Sequence, residues 1–235
     1  FEVQIKAAKG TGITVGGGRI QGEGWTDHQP SGASVMHKGA DGEMVVTLGP
    51  DLAKEMEFVL VEQYEKKLAS EGVDFKTQTA WLEVLVGVDD APEKTWERVE
   101  ILKKVIGDYF GSHLPAGKIY PISRIPNLDG VVEPQPRCVV GDGVKIDRSG
   151  ETEDGFSTWT AIRRSGVSEV MVSGVAGDDA SKILGTIDAR VKAAGGAGLK
   201  ENGVFNNAYV VGVNDSKASR DRLTTFNTAF TGYYE

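Results

Sequence analysis

Residues 81–110 read WLEVLVGVDDAPEKTWERVEILKKVIGDYF, and residues 205–234 repeat the pattern as FNNAYVVGVNDSKASRDRLTTFNTAFTGYY. Each copy is an apolar strand, a Gly, an acidic turn and a helix that ends in paired aromatics. Gly87 and Gly212 are 212 − 87 = 125 residues apart, and the Asp three positions later keeps that spacing. Solenoid repeats have periods of roughly 20–50 residues. A period of this length therefore indicates two duplicated domains.

The first copy predicts an α+β unit. A helix is expected after Asp51, a plausible N-cap, and it ends at Gly72. Its apolar stripe recurs every four residues, at Leu52, Met56, Leu60, Tyr64 and Leu68. Glu55 and Glu57 are expected to be solvated charges on this helix. Strands are predicted at 13–15, 33–37, 43–48, 82–88, 118–123 and 131–140, with a second helix at 93–110. Prolines in the last two strands imply sheet edges or bulges.

The second copy predicts strands at 143–146, 157–164 and 169–173 and a helix at 178–194, before the repeated strand and helix. It lacks the two closing strands of the first copy. Residues 1–9 look like one such strand, because Phe1-Glu2-Val3-Gln4 aligns with Val132-Glu133-Pro134-Gln135 at an offset of 132 − 1 = 131. The predicted domains are an N-terminal strand with a Gly-rich loop (1–24), repeat 1 (25–141) and repeat 2 (142–235).

Composition excludes several classes of function. The 235 residues are 40% hydrophobic and 26% charged, as in an ordinary globular protein. A net charge of −8 argues against nucleic acid as a partner, and no apolar run approaches the roughly 18 residues of a membrane span. The three histidines lack metal-site spacing, and no cofactor is expected. Cys138 is the single cysteine, which favours a reducing compartment, the cytoplasm. Phe1 is not an initiator Met, which indicates processing or an upstream segment.

The order of strands, helices and motifs along the two copies resembles that of the RidA (YjgF, L-PSP) family. The resemblance is carried by a strand-ending Ser-Gly, by a helix bearing Phe, Asn and Tyr, and by the stretch from helix end to closing strands. These motifs are Val172-Ser173-Gly174, Phe226-Asn227 with Phe230 and Tyr233-Tyr234, Tyr109-Phe110-Gly111, Leu114-Pro115-Ala116 and Val131-Val132-Glu133. The resemblance covers roughly residues 33–140 and 156–235. It implies two RidA-like (chorismate-mutase-like) repeats, each a mixed sheet with two helices packed on one face.

The resemblance also implies trimer-like packing and small-molecule sites in clefts between subunits or repeats. The family's best-known activity is hydrolysis of reactive enamines and imines. In that activity an Arg after the Pro-Ala binds the substrate carboxylate through two hydrogen bonds, and a Glu in the closing strand acts on a water molecule. This sequence departs at both positions, because Gly117-Lys118 follows Pro115-Ala116 and Gln135 stands for the acid. Phe156 stands where the family often has Tyr. Chemistry different from the standard deaminase is therefore expected.

Each candidate site residue has two interpretations. Ser173 is either a cleft hydroxyl or a turn residue, and Asn227 is satisfied either by backbone or by a ligand. Arg163 and its neighbours either collect an anion or are surface arginines, and Glu133 is a catalytic acid only if its face is buried. The candidate catalytic residues are Ser173, Asn227, Lys118 and Glu133. The candidate substrate-binding residues are Phe156, Arg163, Gly174, Tyr120 and Arg124.

Two functions follow from these patterns. The first is a small-molecule enzyme that acts on a carboxylated metabolite in a cleft between repeats. This enzyme is a hydrolase or a lyase, and an imine or enamine deaminase is one form of it. The second is a non-catalytic assembly or binding protein, such as a virion or scaffold subunit, that uses the repeats as packing surfaces. An enzyme is expected to show Ser173 or Asn227 in a polar cleft. An assembly subunit is expected to show both residues packed.

Overall fold

The computed structural model describes residues 14–16, 19–30, 36–38, 44–46, 51–122, 131–164, 167–177, 179–202 and 216–234. The strands are β1 (Thr14–Gly16), β2 (Arg19–Gly22), β3 (Trp25–His28), β4 (Met36–Lys38), β5 (Met44–Val46), β6 (Thr79–Gly87), β7 (Ala116–Ile122), β8 (Val132–Gly141), β9 (Lys145–Arg148), β10 (Thr152–Glu153), β11 (Phe156–Ser157), β12 (Trp159–Arg164) and β13 (Val167–Val172). The helices are α1 (Leu52–Phe58), α2 (Lys66–Ala69), α3 (Phe75–Gln78), α4 (Pro92–Phe110), α5 (Ala180–Ala193), α6 (Leu199–Asn202) and α7 (Ser216–Tyr234). The predicted α+β class is confirmed.

The main sheet has six strands in the order β1-β2-β3-β8-β6-β7. The pair β6–β7 is parallel and the other pairs are antiparallel. Proline cannot donate to a strand ladder, so its position in this sheet is informative. Pro121 lies on the edge strand β7, as predicted. Pro134 and Pro136 lie in β8, but β3 pairs only with Cys138–Gly141, so both prolines have β6 as their one strand neighbour within the described pairings.

The first long helix changes its winding part-way. Asp51 caps α1 by accepting a hydrogen bond from the Lys54 backbone N–H, as predicted. A π-helical segment, Val59–Glu65, then joins α1 to α2. An α-helix has 3.6 residues per turn, so a stripe spaced by four residues drifts by about 40° at each step. The wider π turn reverses this drift and keeps the stripe on the core. All five stripe residues are buried: Leu52, Met56, Leu60, Tyr64 and Leu68.

These helices and α4 cover one face of the main sheet. The core between them includes Leu102 and Ile106 of α4 and Val84 of β6. Glu55 also lies in this layer, and the expectation that it is solvated is wrong. Glu55 is 1% exposed, and its carboxylate accepts hydrogen bonds from the backbone N–H groups of Val131 (3.2 Å) and Val132 (3.4 Å). Burial raises the pKa of Glu55, and these hydrogen bonds oppose the rise.

The opposite face of the main sheet packs against a three-stranded sheet of order β13-β12-β9. Ala80 and Val139 of the main sheet form a small apolar cluster with Ile162 of β12. Arg148 of β9 adds a polar contact, because its Nη2 donates to the backbone carbonyls of Thr77 (2.7 Å) and Thr79 (2.9 Å). The first strands of the predicted second repeat are therefore packed onto the first repeat.

The chain divides into two compact units, Phe1–Ser173 and Gly174–Glu235, so the division falls inside the predicted second repeat. The second unit contains α5, α6 and α7. Asp179 caps α5 by accepting from the N–H groups of Ser181 and Lys182. The predicted strands at residues 1–9 and 205–212 lie outside the described residues. Among the helices that are described, none has the length and apolarity to cross a membrane.

Candidate active site

The face of the main sheet away from the helices carries a polar row. Glu83 of β6 pairs with Lys118 of β7 on one side and with Gln135 of β8 on the other. The next row along the same strands contains Tyr120, Leu85 and Glu133. Directly paired residues project to the same face of a sheet, and alternate residues of one strand do so too. Three of the predicted residues, Lys118, Tyr120 and Glu133, are therefore brought to one face by three adjacent strands.

One carboxylate of each of these two rows is buried. Glu83 is 6% exposed and Glu133 is 8% exposed. Gln135 Nε2 donates a hydrogen bond of 3.2 Å to Glu133 Oε1. The amide therefore fixes one carboxylate oxygen and leaves the remaining lone pairs of the carboxylate for other partners. From the sequence, a catalytic role for Glu133 required that its face be buried, and the structure shows that Glu133 is buried.

Lys118 faces a carboxylate from a β-hairpin. Its Nζ lies 3.5 Å from Asp154 Oδ2. The hairpin is β10–β11, and its two-residue loop is Asp154-Gly155, with φ values of 51° and 80°. Asp-Gly is a preferred loop for such a hairpin because both positions need positive φ. Lys103 of α4 contacts the same carboxylate from its other side, at 3.3 Å.

Ser173 is buried and its hydroxyl contacts backbone groups. Its Oγ accepts a hydrogen bond of 2.9 Å from the Gly117 N–H and donates to the Ser157 carbonyl. Thr160 Oγ1 accepts from the neighbouring Ala116 N–H at 2.8 Å. The Ser173 hydroxyl thus binds an N–H group of the edge strand β7, and the Thr160 hydroxyl binds the N–H group of the preceding residue. Ser173 is therefore placed as a connection between β7 and the hairpin.

Phe156 fills the space beside Gly117. Its side chain is fully buried in the core cluster that contains Leu82 and Ile106. A Cβ atom built on Gly117 would lie 2.7 Å from the Phe156 ring and 2.1 Å from the Leu82 carbonyl oxygen. Contacts this short require a neighbouring atom to move. A side chain at the position after Pro115-Ala116 would therefore require these neighbours to shift.

Arginines of this region are paired with carboxylates. Arg137 donates to Asp27 Oδ2 (2.6 and 2.8 Å) and to both Glu169 carboxylate oxygens (2.5 and 2.8 Å). Burial acts to lower the pKa of Arg137, but the two carboxylates outweigh it and raise the pKa above its ordinary value. Arg163 donates to Asp147 at 2.6 Å. Arg164 stacks on the Trp25 ring, 3.9 Å from its centroid.

The remaining predicted residues lie elsewhere. Asn227 is exposed on α7 in the second unit. Gly174 is half-buried and is the first residue of that unit. Arg124 lies outside the described residues. Within the described ranges, no group of three or more His, Cys, Asp or Glu residues is arranged to hold a metal ion.

The chain was compared with protein-family models, curated proteins and solved structures. No family model matches the chain, and no curated protein matches it. A putative endoribonuclease from Thermotoga maritima matches with 19% identity and a TM-score of 0.38, over 57% of this chain and 87% of that one. A protein of the conserved Rid family from Yersinia pestis matches with 18% identity and a TM-score of 0.39, over 52% and 86%. RidA from an Antarctic Psychrobacter matches with 18% identity and a TM-score of 0.38, over 57% and 92%.

The chain is similar to structures of the RidA family. This is the family that the repeated motifs resemble, and the matches span about half of the chain. The first unit contains a mixed sheet with helices on one face. The division of the chain into two such repeats remains a prediction.

Sequence reasoning missed Glu83 and Asp154. Glu83 interrupts an apolar strand, and a charged residue inside a buried strand was the available signal. For Asp154 the signal was the Asp-Gly dipeptide between short strand-like segments, which indicates a hairpin. Neither signal reveals which residues lie beside the carboxylate, because those residues come from elements distant in the sequence.

Proposed function

We propose that this protein is a RidA-like small-molecule enzyme, a hydrolase or lyase, that acts on a carboxylated metabolite at the polar row of the main sheet. The observation that supports this most is the pair of buried carboxylates, Glu83 and Glu133, on adjacent strands and one sheet face, with Lys118 paired to Glu83 on the third strand. Burying ionisable groups is costly, and it is commonest where function requires them. In this proposal Glu133 is the acid–base residue and Gln135 positions it.

Hydrolysis of an imine needs one proton acceptor and one proton donor. Glu133 removes a proton from a water as its oxygen adds to the imine carbon, and then returns that proton to the nitrogen. The same carboxylate then carries the hydroxyl proton of the resulting carbinolamine to the amine, so that the carbon–nitrogen bond breaks, ammonia leaves and a carbonyl product remains. Lys118 attracts the substrate carboxylate as a point charge, since its ammonium lacks the fork with which an arginine binds a carboxylate. A different use of the same residues, elimination by a lyase, needs the same base.

The proposal includes a reducing compartment, such as the cytoplasm, and trimer-like packing of repeats. Cys138 supports the first point, because it is a free and buried thiol. Burial raises its pKa to about 12, so the unreactive thiol form predominates.

The test is a coupled assay in which an amino-acid enzyme releases 2-aminoacrylate-type imines in the presence of this protein. Glu133→Gln is expected to lower the rate acceleration by about 100- to 10,000-fold, the usual contribution of a general acid or base. Glu57→Gln is the matched control, since Glu57 is an exposed glutamate of α1. Lys118→Ala is expected to raise KM, with Lys104→Ala, an exposed lysine of α4, as its control. Equal activity of Glu133→Gln and wild type would reject this assignment.

A second candidate is the non-catalytic assembly or binding protein. The observation that favours it is the packing around Gly117, where Phe156 occupies the adjacent space and the Ser173 hydroxyl binds backbone. Under this function the repeats serve as packing surfaces. It predicts no rate acceleration at high protein concentration, together with concentration-dependent assembly in analytical ultracentrifugation.

A further inference from the structure

Asp154 occupies the position from which a ligand carboxylate would meet Lys118. Its Oδ2 lies 3.5 Å from Lys118 Nζ, while its Oδ1 lies 3.3 Å from Lys103 Nζ. Lys103 also contacts Glu100 at 2.8 Å, so a carboxylate remains beside Lys103 without Asp154. Within the part of the chain that the structure describes, the ion pair of Lys118 is with Asp154.

The hairpin that carries Asp154 is fixed at several points. Phe156, two residues later, is buried in the core, and the Ser157 N–H donates to the Pro115 carbonyl at 3.0 Å. Gly155 packs closely on Lys103, because a Cβ there would lie 2.8 Å from Lys103 Cγ. The carboxylate of Asp154 is therefore held over Lys118 by the fold. Its own side chain is nevertheless 47% exposed, so it can turn away without unfolding the hairpin.

We infer that Asp154 is a specificity-determining residue that competes with a ligand carboxylate for Lys118. This inference rests on the proposed function, in which Lys118 binds the substrate carboxylate. A carboxylated ligand reaches Lys118 by displacing the Asp154 side chain, and it then lies close to a second negative charge. Asp154 thus weakens the binding of small carboxylates, and an uncharged analogue is unaffected.

The test uses pyruvate as the carboxylate and pyruvamide as the uncharged analogue, with Kd measured by NMR titration at low ionic strength. Asp154→Asn keeps the shape of the side chain, and Asn tolerates the positive φ of this position. It is expected to tighten pyruvate binding by about two- to five-fold, the range for removal of a half-exposed ion pair. Asp147→Asn is the matched control. Asp147 is 47% exposed, like Asp154, and it forms an ion pair with Arg163 instead of with Lys118. The gain should disappear in Asp154→Asn combined with Lys118→Gln.

Unchanged or weaker pyruvate binding by Asp154→Asn would overturn the inference, as would equal gains for pyruvate and pyruvamide. The proposed function fails by a different measurement, the activity of Glu133→Gln. A lost activity in Glu133→Gln with unchanged pyruvate binding in Asp154→Asn would reject the inference alone. Tighter binding in Asp154→Asn with full activity in Glu133→Gln would reject the acid–base assignment alone.

Discussion

Truncation of Phe156 tests whether the strands of the second repeat complete the core of the first. Phe156→Ala removes a fully buried ring that packs on Gly117. Such a change costs about 3–5 kcal/mol, the sum of lost burial and the cavity that remains. The unit that contains Phe156 spans residues 1–173. For a unit of this size, 1 kcal/mol shifts Tm by about 2–4 °C, so Tm should fall by about 6–20 °C.

The assay is urea unfolding followed by circular dichroism, with thermal unfolding in parallel. Trp96→Ala is the matched control, because Trp96 is an aromatic residue of α4 that is 63% exposed. Its loss should change the free energy of unfolding by no more than about 0.5 kcal/mol. If Phe156→Ala lowers the free energy of unfolding by less than about 1 kcal/mol, the reasoning is refuted, since removal of a fully packed ring is more destabilising than that.

Two further predictions concern buried polar groups. Ser173→Ala should lower the free energy of unfolding by about 1–3 kcal/mol in urea titrations, because the Gly117 N–H loses its buried partner; an unchanged stability with abolished activity would instead place the hydroxyl in the chemistry. Glu55→Gln tests the raised pKa of a buried carboxyl whose ordinary value is 4.5. As pH rises through that value, this carboxyl ionises in the unfolded protein while it stays protonated in the folded protein. The free energy of unfolding of wild type therefore falls until the pH reaches the raised folded pKa, whereas that of the Gln variant does not. Urea titrations at about pH 4 and about pH 7 measure this divergence, and parallel pH dependences in the two proteins would contradict it.

Much of the fold follows from local sequence patterns. Asp51 was recognisable as a helix cap because a capping carboxylate acts on N–H groups two or three residues away. Pro121 indicated an edge strand because the missing N–H is a property of the residue itself. The stripe from Leu52 to Leu68 predicted the buried face of the first helix. Its four-residue spacing also contained the signal for the π-helical segment, which the prediction did not use.

The candidate site depended on contacts that no local pattern contains. Lys118 and Glu133 were chosen by resemblance, but their placement on one sheet face depends on the register of β6 with both β7 and β8. Glu83 becomes a site residue only because that register puts it between Lys118 and Gln135.

Local sequence patterns were enough to predict the α+β elements, the Asp51 cap and the buried stripes, since these depend on residues within one or two turns of each other. The tertiary structure decided which polar residues are buried and what they bind. Glu55 binds the N–H groups of a strand 76 residues away, and Ser173 binds an edge strand 56 residues away. A side chain's hydrogen-bond partner is set by distance in space, and chain folding makes that distance independent of separation in sequence.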